Sequence, residues 1–255
     1  PAGAPIVPLR WGDLHRSGYH QGISHLHHLY TARNFRALVT LWQLIEDEPE
    51  KLREALRLLV LSYNAAHSTL MTRVVLKKDS KDFVVTGAQS GVMYVSGLPV
   101  EKNVFTGVQR KIKTFVAAFE MMQGLSGEAT IVTGTSADLH LPDESIDYVF
   151  TDPPFGGYIP YSEINQLNEL WLGQTTRVED EAIISPAQGK GVGEYRALLT
   201  SVFSEVGRVM KPGADATVVF HSSHALVWEE VSPTTAEIPA LRASEHRCSM
   251  IEHRS

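Results

Sequence analysis

Between residues 24 and 75 the apolar positions recur at helical spacing. Phe35, Leu38, Val39, Leu41, Trp42 and Ile45 form one stripe, and Leu52, Ala55, Leu56, Leu59 and Val60 form a second that runs towards Tyr63. Steps of three and four residues put side chains on one face of a helix, so this region is predicted to be helical. Pro49, after Glu46-Asp47-Glu48, marks the break between the stripes and suits a helix start. Residues 83–99 alternate instead. Phe83-Val84-Val85 and Val92-Met93-Tyr94-Val95 are expected to pair as a hairpin joined through Gly87 to Gly91. A helix from about Val104 to Gln123 follows.

From residue 130 the pattern changes to alternating short strands and helices. Thr130-Ile131-Val132, Tyr148-Val149-Phe150 and Ala216-Thr217-Val218-Val219-Phe220 read as strands. Ser162 to Leu172 reads as a helix with Ser162 as N-cap and Gly173 just past its end, and Glu194 to Met210 reads as another, closed by Lys211-Pro212-Gly213. Strands and helices with tight connections predict an α/β fold, a parallel sheet with flanking helices. The division expected is a helical segment plus hairpin over residues 1–100, a core over 101–231 and an irregular tail over 232–255, where periodicity is lost.

Composition narrows the class. The chain has 255 residues, 43% of them hydrophobic, enough to bury a full core. A single cysteine, Cys248, excludes a disulfide framework and suits a reducing, cytoplasmic setting. No apolar run reaches membrane length, and the opening Pro-Ala-Gly-Ala-Pro lacks the pattern of a signal peptide, so a soluble intracellular protein is expected. The net charge of −6 leaves only local basic groups for a polyanion: Lys77, Lys78 and Lys81 in one loop, and Arg110, Lys111 and Lys113 on a helix. His20, His25, His27 and His28, with His15 nearby, are spaced so that at most two share a helix face. They read as a polar helix entry, with no metal expected.

The chemistry concentrates at Ile146 to Phe155, where a β-rich run stops at Asp152-Pro153-Pro154-Phe155. Two consecutive prolines donate nothing to a sheet ladder, so the strand ends there and holds an acid and an aromatic ring at its carboxyl edge. That edge is where open α/β sheets bind ligands. By composition alone such a string arises in on the order of one in several hundred chains of this length.

These four residues resemble the catalytic motif of the S-adenosylmethionine-dependent amino-methyltransferases, which methylate the exocyclic nitrogen of adenine or cytosine in DNA. The resemblance implies a Rossmann-like sheet. It makes Asp152 and the Pro153 carbonyl acceptors for the two amine hydrogens, with Pro154 completing the turn and Phe155 a face for a flipped base. Residues Gly134 to Leu139 and Leu141 to Asp147 resemble the third-strand signature of the same methyltransferases. On that likeness Asp138 accepts from the adenine amino group of the cofactor and the Leu139 N–H faces a ring nitrogen. Thr135 stands where the family often has an acid.

Gly156 to Asn165, Glu169 to Gly173, Glu181 to Ser185, Tyr195 and Phe220-His221 are similar to adenine-specific DNA methylases of bacteria, a likeness that spans roughly residues 20–230. Tyr161 is expected either to touch the substrate or to cap its loop onto the core. The implied activity is methylation of an exocyclic amine in double-stranded DNA, adenine N6 ahead of cytosine N4, because the family's cytosine members more often carry Ser in place of the leading Asp. The family's glycine-rich cofactor loop has no counterpart in these residues, and the resemblance puts it upstream of Pro1, in a missing part of the same protein. Two alternatives stand beside this reading. One is an RNA or tRNA base methyltransferase; the other is a non-catalytic chain that binds nucleic acid or a partner.

Overall fold

The computed structural model describes residues 5–70, 72–76, 83–88, 92–95, 99–220 and 248–251, with backbone alone for the three strands at 72–76, 83–88 and 248–251. It is a mixed α/β chain that divides into two units. One comprises Pro1–Glu128 with Tyr161–Thr176, and the other Ala129–Pro160 with Arg177–Ser255. Among the described residues, no helix is long and apolar enough to cross a membrane.

In the first unit a 3₁₀ turn at Leu26–Leu29 leads into helix α1, Ala32–Glu46, whose N-cap Thr31 accepts from the Asn34 N–H. Helix α1 buries Phe35, Leu38, Val39 and Ile45, the stripe predicted from spacing. Helix α2, Glu50–Leu61, starts after Pro49 and buries Leu59 and Val60; the single turn α3, Asn64–His67, follows. The predicted helical region ends there, because the β-branched run at Thr72, Val74 and Val75 belongs to strand β1, Thr72–Leu76. Strand β2, Phe83–Ala88, pairs antiparallel with β1, Leu76 opposite Phe83. The expected partner segment, Val92–Val95, instead makes one bridge from Val95 to Leu70. The loop carrying Lys77, Lys78 and Lys81 lies outside the described residues.

Helix α4, Val104–Met122, is capped by the Asn103 side chain, which accepts from the Thr106 N–H. It buries Val104 and Gly107 in the same unit, so the boundary expected at residue 100 falls at 128. Residues 161–176 also belong to this unit, where the sequence pattern placed them with the sheet. They form two short helices, α5, Tyr161–Ile164, and α6, Gln166–Glu169, so the single helix with Ser162 as N-cap is replaced by two turns with Ser162 inside the first. Polar anchors explain the break. The Glu163 carboxylate accepts from the N–H groups of Gly12 and Leu14 at 2.8 and 3.2 Å. Gln166 accepts from the Arg10 N–H and donates to the Arg10 carbonyl, both at 2.7 Å. Gly12 lies so close to Glu163 that an added Cβ would sit 2.8 Å from its Oε1. Trp171 and Leu167 fill the core against Tyr30, Phe35 and Leu38.

His67 is 1% exposed, edge-on to Tyr63, and neither ring nitrogen has a hydrogen-bond partner among the described residues. Burial, then the Lys102 charge, lowers its pKa to about 4. A histidine held neutral in the fold takes up its proton first in the unfolded chain, so stability is full above about pH 6.5 and declines towards pH 4, at up to roughly 1.4 kcal/mol per pH unit. Urea unfolding followed from pH 7 to pH 4.5 should show this decline, and His67→Phe should flatten it; an equal slope in both proteins would contradict the assignment.

The second unit holds a three-stranded parallel sheet in the order β3-β4-β5. Strand β3 is Ile146–Thr151, β4 is Met210–Val219 and β5 is Cys248–Ile251. The sequence placed Cys248–Ile251 in an irregular tail; its backbone pairs Ala216 with Cys248 through Val219 with Ile251. Helix α7, Val192–Val209, connects β3 to β4 and buries Tyr195, Leu199, Phe203, Val206 and Val209 at steps of three and four, against Ala216, Val218 and Phe220. Such a helical crossover is what parallel neighbours require. Strand β4 starts earlier than its apolar run predicts because Ile146 pairs with Met210 and Tyr148 with Asp215, leaving the Lys211–Ala214 stretch as a bulge with Gly213 at φ +82°. The expected strand at Thr130–Val132 has no regular secondary structure and no ladder partner among the described residues, and Ile131 is 95% exposed. A strand needs a neighbour, and none lies beside it among the described residues.

Candidate active site

Strand β3 makes its last ladder pair between Thr151 and Val218 and then meets Asp152-Pro153-Pro154-Phe155. The proline pair ends the ladder, as its missing N–H groups require. Asp152 is exposed, and no described residue hydrogen-bonds or ion-pairs with its carboxylate. Pro153 is buried and Pro154 half-buried. Phe155 is half-buried too, packed edge-on to Phe220 with ring centres 5.3 Å apart.

The turn after the motif is held from two sides. Gly156 adopts φ +67°, a left-handed conformation that suits glycine, and its N–H reaches back to the Pro154 carbonyl at 3.1 Å. Its carbonyl accepts from the Ile184 N–H at 3.4 Å. Gly157 passes so close to this segment that an added Cβ would come within 2.6 Å of the Ile184 carbonyl oxygen. On the other side the buried Tyr195 hydroxyl donates to the Pro154 carbonyl.

The segment that carries Ile184 is itself braced. Ser185 bridges Lys190, Gln188 donates to the Glu181 carboxylate at 2.7 Å, and the Lys190 ammonium donates to the carbonyls of Val178 and Glu181. Ile183 anchors this loop by complete burial.

The two residues expected at the cofactor are placed differently. Asp138 is exposed and its carboxylate meets the His140 imidazole at 3.0 Å. Thr135, standing in place of an acid, uses its hydroxyl locally to accept from the Ala137 N–H. The Leu139 N–H, expected to face a cofactor ring nitrogen, donates instead to the Glu205 carboxylate at 2.8 Å. Glu205 is in turn gripped by Arg208, which also pairs with Asp143 and donates to the Leu141 carbonyl. The guanidinium, with the Leu139 N–H, holds the Glu205 pKa down to about 2 and raises that of Arg208 itself. This clamp explains the change: a carboxylate on α7 satisfies the backbone donor before any ligand does.

Helix α7 therefore fastens both segments, the motif at Tyr195 and the Asp138 loop at Glu205. Ten residues of helix separate the two anchors, about 15 Å along the axis. The motif residues stand together and the Asp138 loop is anchored at the far end of the helix. Tyr161 opens α5 in the first unit and is exposed, outside that unit's core cluster.

Neither Tyr195 nor the Glu205–Arg208 clamp was assigned a role from sequence. A signal for Tyr195 was present: a tyrosine within a buried helical stripe has a hydroxyl that must find a partner. The histidine group is structural at His20, which is buried, stacks on Trp11 with ring centres 4.3 Å apart, and binds the Arg16 N–H and the Met93 carbonyl. His25, His27 and His28 cluster ring to ring. Among the described residues, no group of three or more His, Cys, Asp or Glu is arranged to hold a metal ion. No protein-family model, curated protein sequence or solved structure matches the chain.

Proposed function

We propose that this chain carries the amine-activating part of an S-adenosylmethionine-dependent DNA methyltransferase, acting on an exocyclic base amine and preferentially on adenine N6. One observation carries the reading: Asp152-Pro153-Pro154-Phe155 closes a parallel strand with the Asp152 carboxylate exposed and without a partner among the described residues, on a turn braced from both sides. The lone pair of an exocyclic amine is delocalised into the base, so acceptors must draw on its hydrogens. Asp152 accepts from one N–H. The Pro153 carbonyl accepts from the other, since the next carbonyl, that of Pro154, is already taken by Tyr195 and Gly156. Phe155 offers a ring against which a base removed from its stack rests. The bound cofactor supplies an electrophilic methyl group. What the chain contributes is position and electrostatics.

For the cofactor's adenosine end, Asp138 fits as an exposed acceptor, whereas Leu139 does not, its N–H being committed to Glu205. Within this reading the sheet of β3, β4 and β5 is part of a Rossmann-like methyltransferase core. The partner in this reading is double-stranded DNA with one base flipped out. The same chemistry serves an RNA base equally. A second reading, a non-catalytic chain binding nucleic acid or a partner, is favoured by the absence of a glycine-rich cofactor string from these 255 residues. A calorimetric titration of the chain with S-adenosylmethionine separates the two.

Replacing Phe155 tests the substrate side. Phe155→Ala should lower methyl transfer more than Phe155→Tyr or Phe155→Trp, by an amount set by base stacking at roughly 1–3 kcal/mol. Equal damage from Ala and Tyr would mean that the ring's contact with Phe220 is its whole role.

A further inference from the structure

We infer that Tyr195 is a positioning residue for the Asp152–Phe155 turn, setting the spacing of the two amine acceptors; the inference rests on the amino-methyltransferase reading. Tyr195 lies near the start of α7 and is completely buried. Its ring packs with Leu199, Phe203 and Phe220, yet its hydroxyl is turned onto the backbone of the motif. It donates to the Pro154 carbonyl, the same oxygen that the Gly156 N–H reaches at 3.1 Å, so the one O–H of a buried phenol is spent on this turn. Burial pushes its pKa up to about 12, so the hydroxyl stays a donor at any ordinary working pH.

The consequence for chemistry follows from adjacency. Pro153 and Pro154 present consecutive carbonyls, and only one of them can face the amine. By binding the Pro154 carbonyl, Tyr195 fixes the peptide plane that joins Pro154 to Phe155 and thereby sets which carbonyl is left for substrate. The opposite wall is backbone: Ile184 donates to the Gly156 carbonyl, and its own carbonyl leaves no room for a side chain at position 157. The turn is thus clamped between a phenol and a peptide strand. A reaction that holds both N–H groups of one amine in hydrogen bonds, while only one proton is lost to the incoming methyl group, needs its acceptors held within a fraction of an ångström. A hydroxyl that supplies this rigidity acts on turnover and leaves cofactor affinity alone.

Tyr195→Phe in the complete gene product keeps the packed ring and removes only the hydroxyl. The expected result is a fall in kcat for methyl transfer of between about tenfold and a hundredfold, with KM for S-adenosylmethionine within about twofold. Amide hydrogen exchange should quicken at Phe155, Gly156 and Gly157 and stay unchanged across the rest of the second unit. Unchanged exchange at those three amides overturns the inference whatever the activity, and so does unchanged kcat in a protein that methylates. Asp152→Ala serves as the separate arm. Full turnover in that variant sinks the methyltransferase reading, while the exchange comparison still decides the brace.

Discussion

Asp152→Ala should lose methyl transfer by roughly 3–4 kcal/mol of transition-state stabilisation, about two to three orders of magnitude in turnover. The acceptor it removes is the one acidic group at the end of β3 with no partner among the described residues. S-adenosylmethionine affinity should stay within several-fold of the wild-type value, since the carboxylate is assigned to the amine and not to the cofactor. The fold should be indifferent as well. An exposed, unpaired side chain contributes little to stability, so the thermal midpoint should match that of the parent protein. Near-native turnover in single-turnover assays would show that the acid is not part of the chemistry.

The second large effect is structural. Trp171→Ala should destabilise the first unit by roughly 3–5 kcal/mol, the range for emptying a buried large aromatic site. The indole lies edge-on to Tyr30 and within 6 Å, centre to centre, of Phe35 and Trp42. It also begins a chain of buried hydrogen bonds. The Trp171 Nε1–H donates to the Tyr30 hydroxyl at 3.1 Å, Tyr30 donates to the Asn64 side-chain Oδ1 at 2.8 Å, and the Asn64 side-chain Nδ2 donates to the Leu167 backbone carbonyl at 2.8 Å. Loss of the first donor leaves a buried hydroxyl with one partner fewer. Urea denaturation at pH 7 measures the change, and a loss under about 1 kcal/mol, the scale of an ordinary surface substitution, would mean that residues 161–176 are not part of this core.

Helix α1 was legible because its apolar stripe is continuous and Thr31 caps it. Helix α7 was legible as well, closed by Lys211-Pro212-Gly213. Residues 161–172 misled because the groups that fix them are polar. Ser162, Glu163 and Gln166 are buried, and the last two bind backbone at residues 10–14, a pattern with no periodicity along the chain. The hairpin misled through register: Phe83–Ala88 had two β-rich neighbours, and the run at residues 72–76 won over the one at 92–95. The strand expected at Thr130–Val132 illustrates that β-propensity describes fit to a sheet surface and creates no partner.

At the site, the motif was visible in four letters, since a proline pair after a β-rich run dictates a strand end by itself. Its support was not. Tyr195 sits 41 residues beyond Pro154, and nothing local says that its hydroxyl returns to that carbonyl. The Leu139 N–H shows the opposite case. A likeness to a cofactor contact was carried by the residues at 134–139, while its outcome was set by Glu205 and Arg208, which the likeness does not include.

The central claim, that Asp152 to Phe155 direct a methyl group to an exocyclic base amine, is tested most directly by the product. The complete gene product is incubated with double-stranded DNA and tritium-labelled S-adenosylmethionine, and the DNA is digested to nucleosides and separated. The account predicts label in N6-methyladenosine of the deoxy series, absent when Asp152 is replaced by Ala. Label on a ring carbon, or label that survives the Asp152 replacement, would contradict it.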